Sequence, residues 1–241
     1  MKKLLLLIMI PFISFGQNFG GGVQFGGVTT NIYTVSNGVD NNFEADNGVH
    51  FGFNAQAKFG NIAICTELNY EQNKFSKTGD SYFDGSTPSS YPQIMNYTHY
   101  HLSLPFLIKV YFGPFNLQTG VQISRFTSGF EQSENGPPFQ YLEEMYYDYT
   151  FWTTPPYNSV YWRFQDDHYA GIVGFGLDLN LGALDLFMSC RTIVYTTPIV
   201  NMDLINAINA EYNSPYTNEM IDEFSRYVTI NIAAGFRINI F

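Results

Sequence analysis

YVTINIAAGFRINIF, Tyr227 to Phe241, is the stretch on which the fold turns. From Val228 onward, Val228, Ile230, Ile232, Ala234, Phe236, Ile238 and Ile240 fall on one side, while Thr229, Asn231, Ala233, Gly235, Arg237 and Asn239 fall on the other. A period of two sustained over this length is a β-strand with one apolar and one polar face. The sequence given stops on Phe241, an aromatic, where a soluble domain usually frays into polar residues.

The same alternation recurs upstream. In VHFGFNAQAKFG, Val49, Phe51, Phe53, Ala55, Ala57 and Phe59 oppose His50, Gly52, Asn54, Gln56 and Lys58. In IAICTELNYE, Ile62, Ile64, Thr66, Leu68 and Tyr70 oppose Ala63, Cys65, Glu67, Asn69 and Glu71. Tyr100 to Phe112 and Phe115 to Ile123 form a further pair about Gly113-Pro114, and Tyr169 to Leu181 with Leu184 to Arg191 form another about Gly182. With a glycine-rich first strand around Phe19 to Tyr33, the expected total is eight. Tight turns near residues 60, 113 and 182 alternate with polar excursions near 34–48, 75–94, 127–166 and 196–224. Short turns at one end and long loops at the other are the asymmetry of an outer-membrane β-barrel with both termini in the periplasm.

Composition and the N-terminus agree. Charged residues make up 13% of the 241, roughly half the usual share. MKKLLLLIMIPFISFG, residues 1–16, has a basic start, an apolar core and small residues before Gln17, which predicts a cleaved signal peptide and a mature domain over 17–241. Loss of Lys2 and Lys3 leaves nine basic residues against 21 acidic ones, a net charge of about −12, which argues against a nucleic-acid partner. No later run is long and apolar enough for a spanning helix, so any crossing is by strands. Lys58, Lys109, Glu67, Glu71, Asp178, Arg191 and Arg237 share the polar face with many glycines. Each cation would cost about 2 to 4 kcal/mol at the lipid midplane, so that face is expected to line a narrow lumen and the apolar face to meet lipid. The expectation is an all-β, eight-stranded antiparallel transmembrane barrel with four long extracellular loops.

The segment HYHLSLPFLIKVYFGPFNLQTGVQIS resembles the PorT-like small outer-membrane barrels of Bacteroidota, through Tyr100, Leu102, Leu104, Pro105, Leu107, Lys109, Tyr111, Phe112 and Gly120. His101 departs from the branched or aromatic residue common there. YAGIVGFGLDLNLGALDLFMSCR is similar to the closing strands of that family. The resemblance implies fold and outer-membrane location, and a role in type IX secretion for some members. Phe236, Ile238, Ile240 and Phe241 likewise resemble the C-terminal signal that outer-membrane barrels present to the barrel-assembly machinery.

Candidate sites follow from parity. Lys58, Lys109, Asp178, Asp185 and Arg237 are expected low in the lumen and Glu67 with Arg191 at mid-height, as a charge-paired plug or, alternatively, a proton or ion path. His50, His99, His101 and His168 are expected inward at the outer rim, half in water, with no metal-ligand spacing. His101-x-Ser103 is similar to the pair of outer-membrane lipid A deacylases, but parity turns both residues inward, away from lipid. Cys65 and Cys190 fall on opposite faces, which predicts free thiols. The loop Phe139 to Phe164 carries Tyr146, Tyr147, Trp152, Tyr161 and Trp162, an aromatic set suited to a protein partner, to stacking on a glycan, or to packing on itself as a lid. No catalytic residue, metal or cofactor is expected; lipid, the assembly machinery and an envelope protein are the expected partners.

Overall fold

The computed structural model describes residues 18–34, 43–79, 93–133, 139–142, 166–199 and 225–240. They form nine strands: β1 (Asn18–Thr34), β2 (Phe43–Phe59), β3 (Ile62–Gly79), β4 (Gln93–Phe112), β5 (Phe115–Ser133), β6 (Phe139–Leu142), β7 (Asp167–Asn180), β8 (Leu184–Tyr195) and β9 (Ser225–Asn239). All pairings are antiparallel. β1 to β5 follow in order, β5 pairs β7, and β9 returns to β1, so eight strands close into a barrel. The ninth, β6, pairs with β5 from Ser128↔Leu142 to Glu131↔Phe139, outside the ring. The eight expected strands therefore become a ring of eight with an annex, and the annex lies within residues 127–166, expected as loop. β5 itself continues to Ser133, and β2 and β3 also run into segments expected as loops. Residues 1–16, expected as a signal peptide, lie outside the described residues.

The alternation read from the sequence is the inside and outside of this barrel. Along β2, Phe51 and Phe53 are exposed while Gly52, Asn54 and Gln56 are buried. Phe25 is 66% exposed, Phe175 61% and Val173 60%, within a continuous belt of outward Phe, Leu, Ile and Val. A soluble protein rarely exposes apolar patches beyond a few hundred Å². A closed sheet satisfies its backbone groups internally, and a greasy belt around such a sheet is matched to hydrocarbon. The protein is a transmembrane β-barrel. No helix among the described residues is long and apolar enough to cross a membrane; the strands do the crossing.

Three glycines make the tight turns. Gly60, Gly113 and Gly182 have φ of 60°, 66° and 87°, the left-handed region where a Cβ is penalised. At the third, Asn180 Oδ1 accepts from the Gly182 N–H at 3.0 Å. The lumen glycines leave room for side chains in the narrow bore, Gly52 for Asn69 and Gly176 for Gln118, and some also make room for backbone. A Cβ on Gly22 would overlap the carbonyl of Phe236, and one on Gly120 that of Phe106. These positions let adjacent strands approach, as coiling a small barrel demands.

One irregularity re-aims the upper wall. His101 pairs with Phe126 while Tyr100 pairs with Ser128, leaving Thr127 as the extra residue of a β-bulge. Phe126, 1% exposed, keeps the inward parity of Gln122 and Ser124, and the bulge turns Gly129 inward above it.

Candidate functional site

The lumen is filled by side chains in three tiers. At the turn end, Asp178 accepts from Tyr111 Oη at 2.7 Å and from Asn116 Nδ2 at 3.1 Å, and it forms an ion pair with Arg237. Arg237 also donates to Gln56 Oε1, which lies 3.2 Å from the Tyr111 hydroxyl, and the Lys58 ammonium lies 4.0 Å from the centroid of the Tyr111 ring. Asp185 accepts from Asn180 and Asn239, at 2.8 and 3.0 Å.

The middle tier is a bidentate pair. Arg191 Nη1 and Nη2 each donate at 2.7 Å to an oxygen of Glu67, the planar fork that makes arginine the better partner for a carboxylate. Gln24 and Asn69 donate to the same carboxylate, at 2.7 and 3.1 Å. Arg191 Nε donates to Gln118, and Gln118 to Asn116, so the middle tier is wired to the lower one through neutral amides. Lys109 stands apart. It is 1% exposed and lies over the Phe187 ring, 5.7 Å from its centroid.

The upper tier joins a hydroxyl cluster to an aromatic plug. Ser103 donates to Glu71 at 2.8 Å, and Gln122 donates to Ser124 and to Tyr195 Oη, both at 2.9 Å. Above them His99 Nδ1 is 2.5 Å from Tyr227 Oη and His101 Nδ1 is 3.0 Å from Asn73 Nδ2. Phe75, Tyr97, Phe126, Tyr195, Ile199 and Tyr227 pack in the same buried cluster. The rings of His101 and His168 lie 5.3 Å apart, edge to face.

The expected residues are thus placed as follows. Glu67 meets Arg191, and Asp178 meets Arg237; Lys58 reaches an aromatic ring, and Lys109 meets no carboxylate. The histidines depart from expectation: His50, His99, His101 and His168 are 3%, 0%, 0% and 1% exposed, so they are core residues and not half in water at a rim. The reason is the height of the wall, since β3, β4 and β5 run 18, 20 and 19 residues and carry aromatics above the histidines. Among the described residues no three of His, Cys, Asp and Glu are arranged to hold a metal ion. His101 and Ser103 are both fully buried while Leu102 between them faces out, so lipid does not reach the pair. Cys65 is buried in the lumen, and both Cys65 and Cys190 are free thiols. Phe236, Ile238 and Ile240 lie on the exposed belt; Phe241 and the loop residues Tyr146, Tyr147, Trp152, Tyr161 and Trp162 lie outside the described residues. Sequence reasoning passed over Tyr111, Gln24, Gln118 and Tyr195 as network members, although parity already set each on the inner face.

No known family profile matches the chain, and no curated protein sequence does. Solved structures with a similar fold include Neisserial surface protein A, with 10% identity over 92% of this chain and 98% of that one at a TM-score of 0.43. OprG, an outer membrane protein from Pseudomonas aeruginosa, has 10% identity over 92% and 95% at a TM-score of 0.39. Ail, the attachment invasion locus protein of Yersinia pestis, in complex with the heparin analogue sucrose octasulfate, has 10% identity over 91% and 99% at a TM-score of 0.37. At such identities the likeness concerns the fold alone.

Proposed function

We propose that the protein is a non-enzymatic barrel of the bacterial outer membrane, termini in the periplasm, that serves as an accessory or scaffold subunit of an envelope complex through its extracellular loops. The observation that supports this reading is the filled lumen: side chains from every strand of the ring occupy it in three tiers, so the bore is a strut and the loop end is the surface available for work. Among the described residues, Ser103 is bonded to Glu71 and Ser124 and His101 to Asn73, a pairing that gives neither a nucleophile nor a base for lipid chemistry. On the residues of the PorT-like resemblance, we place the chain beside those Bacteroidota barrels, with secretion as the process it would serve. Phe236, Ile238, Ile240 and Phe241 are assigned as its assembly signal, and Tyr146, Tyr147, Trp152, Tyr161 and Trp162 as the contact surface.

The test is co-purification from native outer membranes in mild detergent. A stoichiometric envelope protein is the expected outcome, lost when Trp152 and Trp162 are both changed to alanine, since truncating an interface hot spot typically costs about 2 kcal/mol or more. A lone barrel that instead retains affinity for a glycan would replace the scaffold with a surface binder. Intact association in the double variant would defeat the loop as the contact.

A further inference from the structure

The outer face of the ring is charged at one end only. From the tight turns upward, the outward positions of its eight strands carry no Asp, Glu, Lys or Arg until the loop end is reached. There, among the described strand residues, the outward charges are Glu44, Lys74, Arg125, Asp167 and Arg226. Cations thus outnumber carboxylates on this margin of a chain whose net charge is −10. An acidic protein that keeps its outward cations at one edge of an apolar belt is matched to a membrane whose headgroups are anionic on that side.

The wall of β3, β4 and β5 gives this edge a definite arrangement. Lys74 pairs with Thr98 and Arg125 with Leu102, so the two cations stand on either side of β4 with Tyr100 between their rungs. The Tyr100 ring stacks on Tyr70, centroids 5.7 Å apart and planes at 16°, and Phe130 meets it edge-on at 5.9 Å. Tyrosines at the margin of an apolar belt mark the level of the lipid headgroups. Bonding capacity is left over here. Gln72 Nε2 donates to Tyr100 Oη at 3.0 Å, which leaves the hydroxyl's own proton without an acceptor among the described residues. Lys74 makes no hydrogen bond or ion pair with any described residue, although Glu44 faces outward on the neighbouring strand opposite Ser76. Arg125 is exposed and shares its rung with Asp167, which answers part of its charge.

We propose that this wall binds a phosphorylated glycolipid of the outer leaflet: Lys74 and Arg125 each meet a headgroup phosphate, the Tyr100 hydroxyl donates to the sugar between them, and the acyl chains lie along the belt below. The α-carbons of the two cations are about 16 Å apart, from two strand spacings and four residues of rise. With the side chains standing away from the sheet, a disaccharide headgroup phosphorylated at both ends covers that span, whereas a phospholipid's single phosphate meets one cation at a time. The assignment rests on the loop end facing the exterior, as proposed above.

Native mass spectrometry of the mature barrel in detergent tests the site, with bisphosphorylated lipid A, the same lipid A stripped of both phosphates, and phosphatidylglycerol as probes. The bisphosphorylated form is expected to bind at least tenfold more tightly than either of the others. A cation beside an anionic headgroup contributes about fivefold, so Lys74→Gln with Arg125→Gln should weaken that binding about 25-fold. Arg226→Gln, on the opposite wall in β9, should leave it unchanged. Heat-modifiable mobility checks that each variant is folded, and if the double variant is not, Lys74→Gln alone reads the same contrast at about fivefold. Equal binding of the two forms of lipid A, unchanged affinity in the Lys74 and Arg125 variants, an equal loss in Arg226→Gln, or phosphatidylglycerol bound as tightly as lipid A would each overturn the proposal. Orientation is read separately, by protease added to intact cells: loops that are cut support the outer leaflet, and loops that are spared overturn that leaflet and the orientation it rests on, whatever the lipid contrast in detergent.

Discussion

Glu67 and Arg191 are both almost fully buried and committed to each other through two parallel hydrogen bonds. Breaking such a pair from one side leaves an uncompensated charge in a dry bore, typically a loss of about 3–5 kcal/mol. Glu67→Gln is therefore expected to destabilise the barrel by that amount in urea unfolding from lipid vesicles. Glu67→Gln combined with Arg191→Met should recover at least half of the loss, because the stranded cation is gone. A single-variant loss under about 1 kcal/mol would show that the pair is screened by water and is no strut. Much at this scale was legible in the sequence: strict alternation put Glu67 and Arg191 on one face, and counting from the turns put them at one height. The depth of the histidines was not, because what covers His99 and His101 is assembled from Phe75, Tyr97, Phe126 and Tyr227 on four different strands. Gly129, which packs against His99 and Phe126, faces inward through a bulge that no local pattern announced.

Turn glycines and wall glycines make opposite predictions within the strands that carry them. Gly113 has φ of 66° and nothing within 4 Å of where a Cβ would stand, so Gly113→Ala meets only backbone strain, about 1–2 kcal/mol. Gly22→Ala drives a Cβ into the Phe236 carbonyl across the β1–β9 pairing, so it should yield little folded barrel. Gly171, on the outer face with open space around it, should accept alanine at no measurable cost. Heat-modifiable mobility on gels ranks the three, and equal behaviour of Gly22→Ala and Gly171→Ala would refute the close-approach argument. Removal of Phe241 tests the assigned assembly signal: less barrel should reach the outer membrane while export across the inner membrane continues, and wild-type abundance would exclude that residue from the signal. Strand boundaries were legible because Gly-Asn, Gly-Pro and Asn-Leu-Gly punctuate the alternation. β6 also had a signal, Asn135-Gly136-Pro137-Pro138 ahead of FQYL, but the aromatic density that follows masked the strand as loop.

For the whole molecule, three occupied tiers predict electrical silence. Reconstituted into planar bilayers, the barrel should show no porin-sized current, and reproducible large steps would mean that the tiers rearrange together. The ring also has a history implied by its seam. β1 and β9 pair over fifteen rungs, from Gly20↔Asn239 to Thr34↔Ser225, so the partners are separated by 191 to 219 residues of chain. Loop-closure entropy grows only slowly with that distance, but contacts this remote form late and slowly. Until the last strand arrives, β1 is an open edge with unpaired amides and carbonyls, the kind of template on which chains aggregate. The nascent barrel is thus a chain that cannot finish itself until it is nearly all synthesised, and its survival in the interval depends on something else holding that edge.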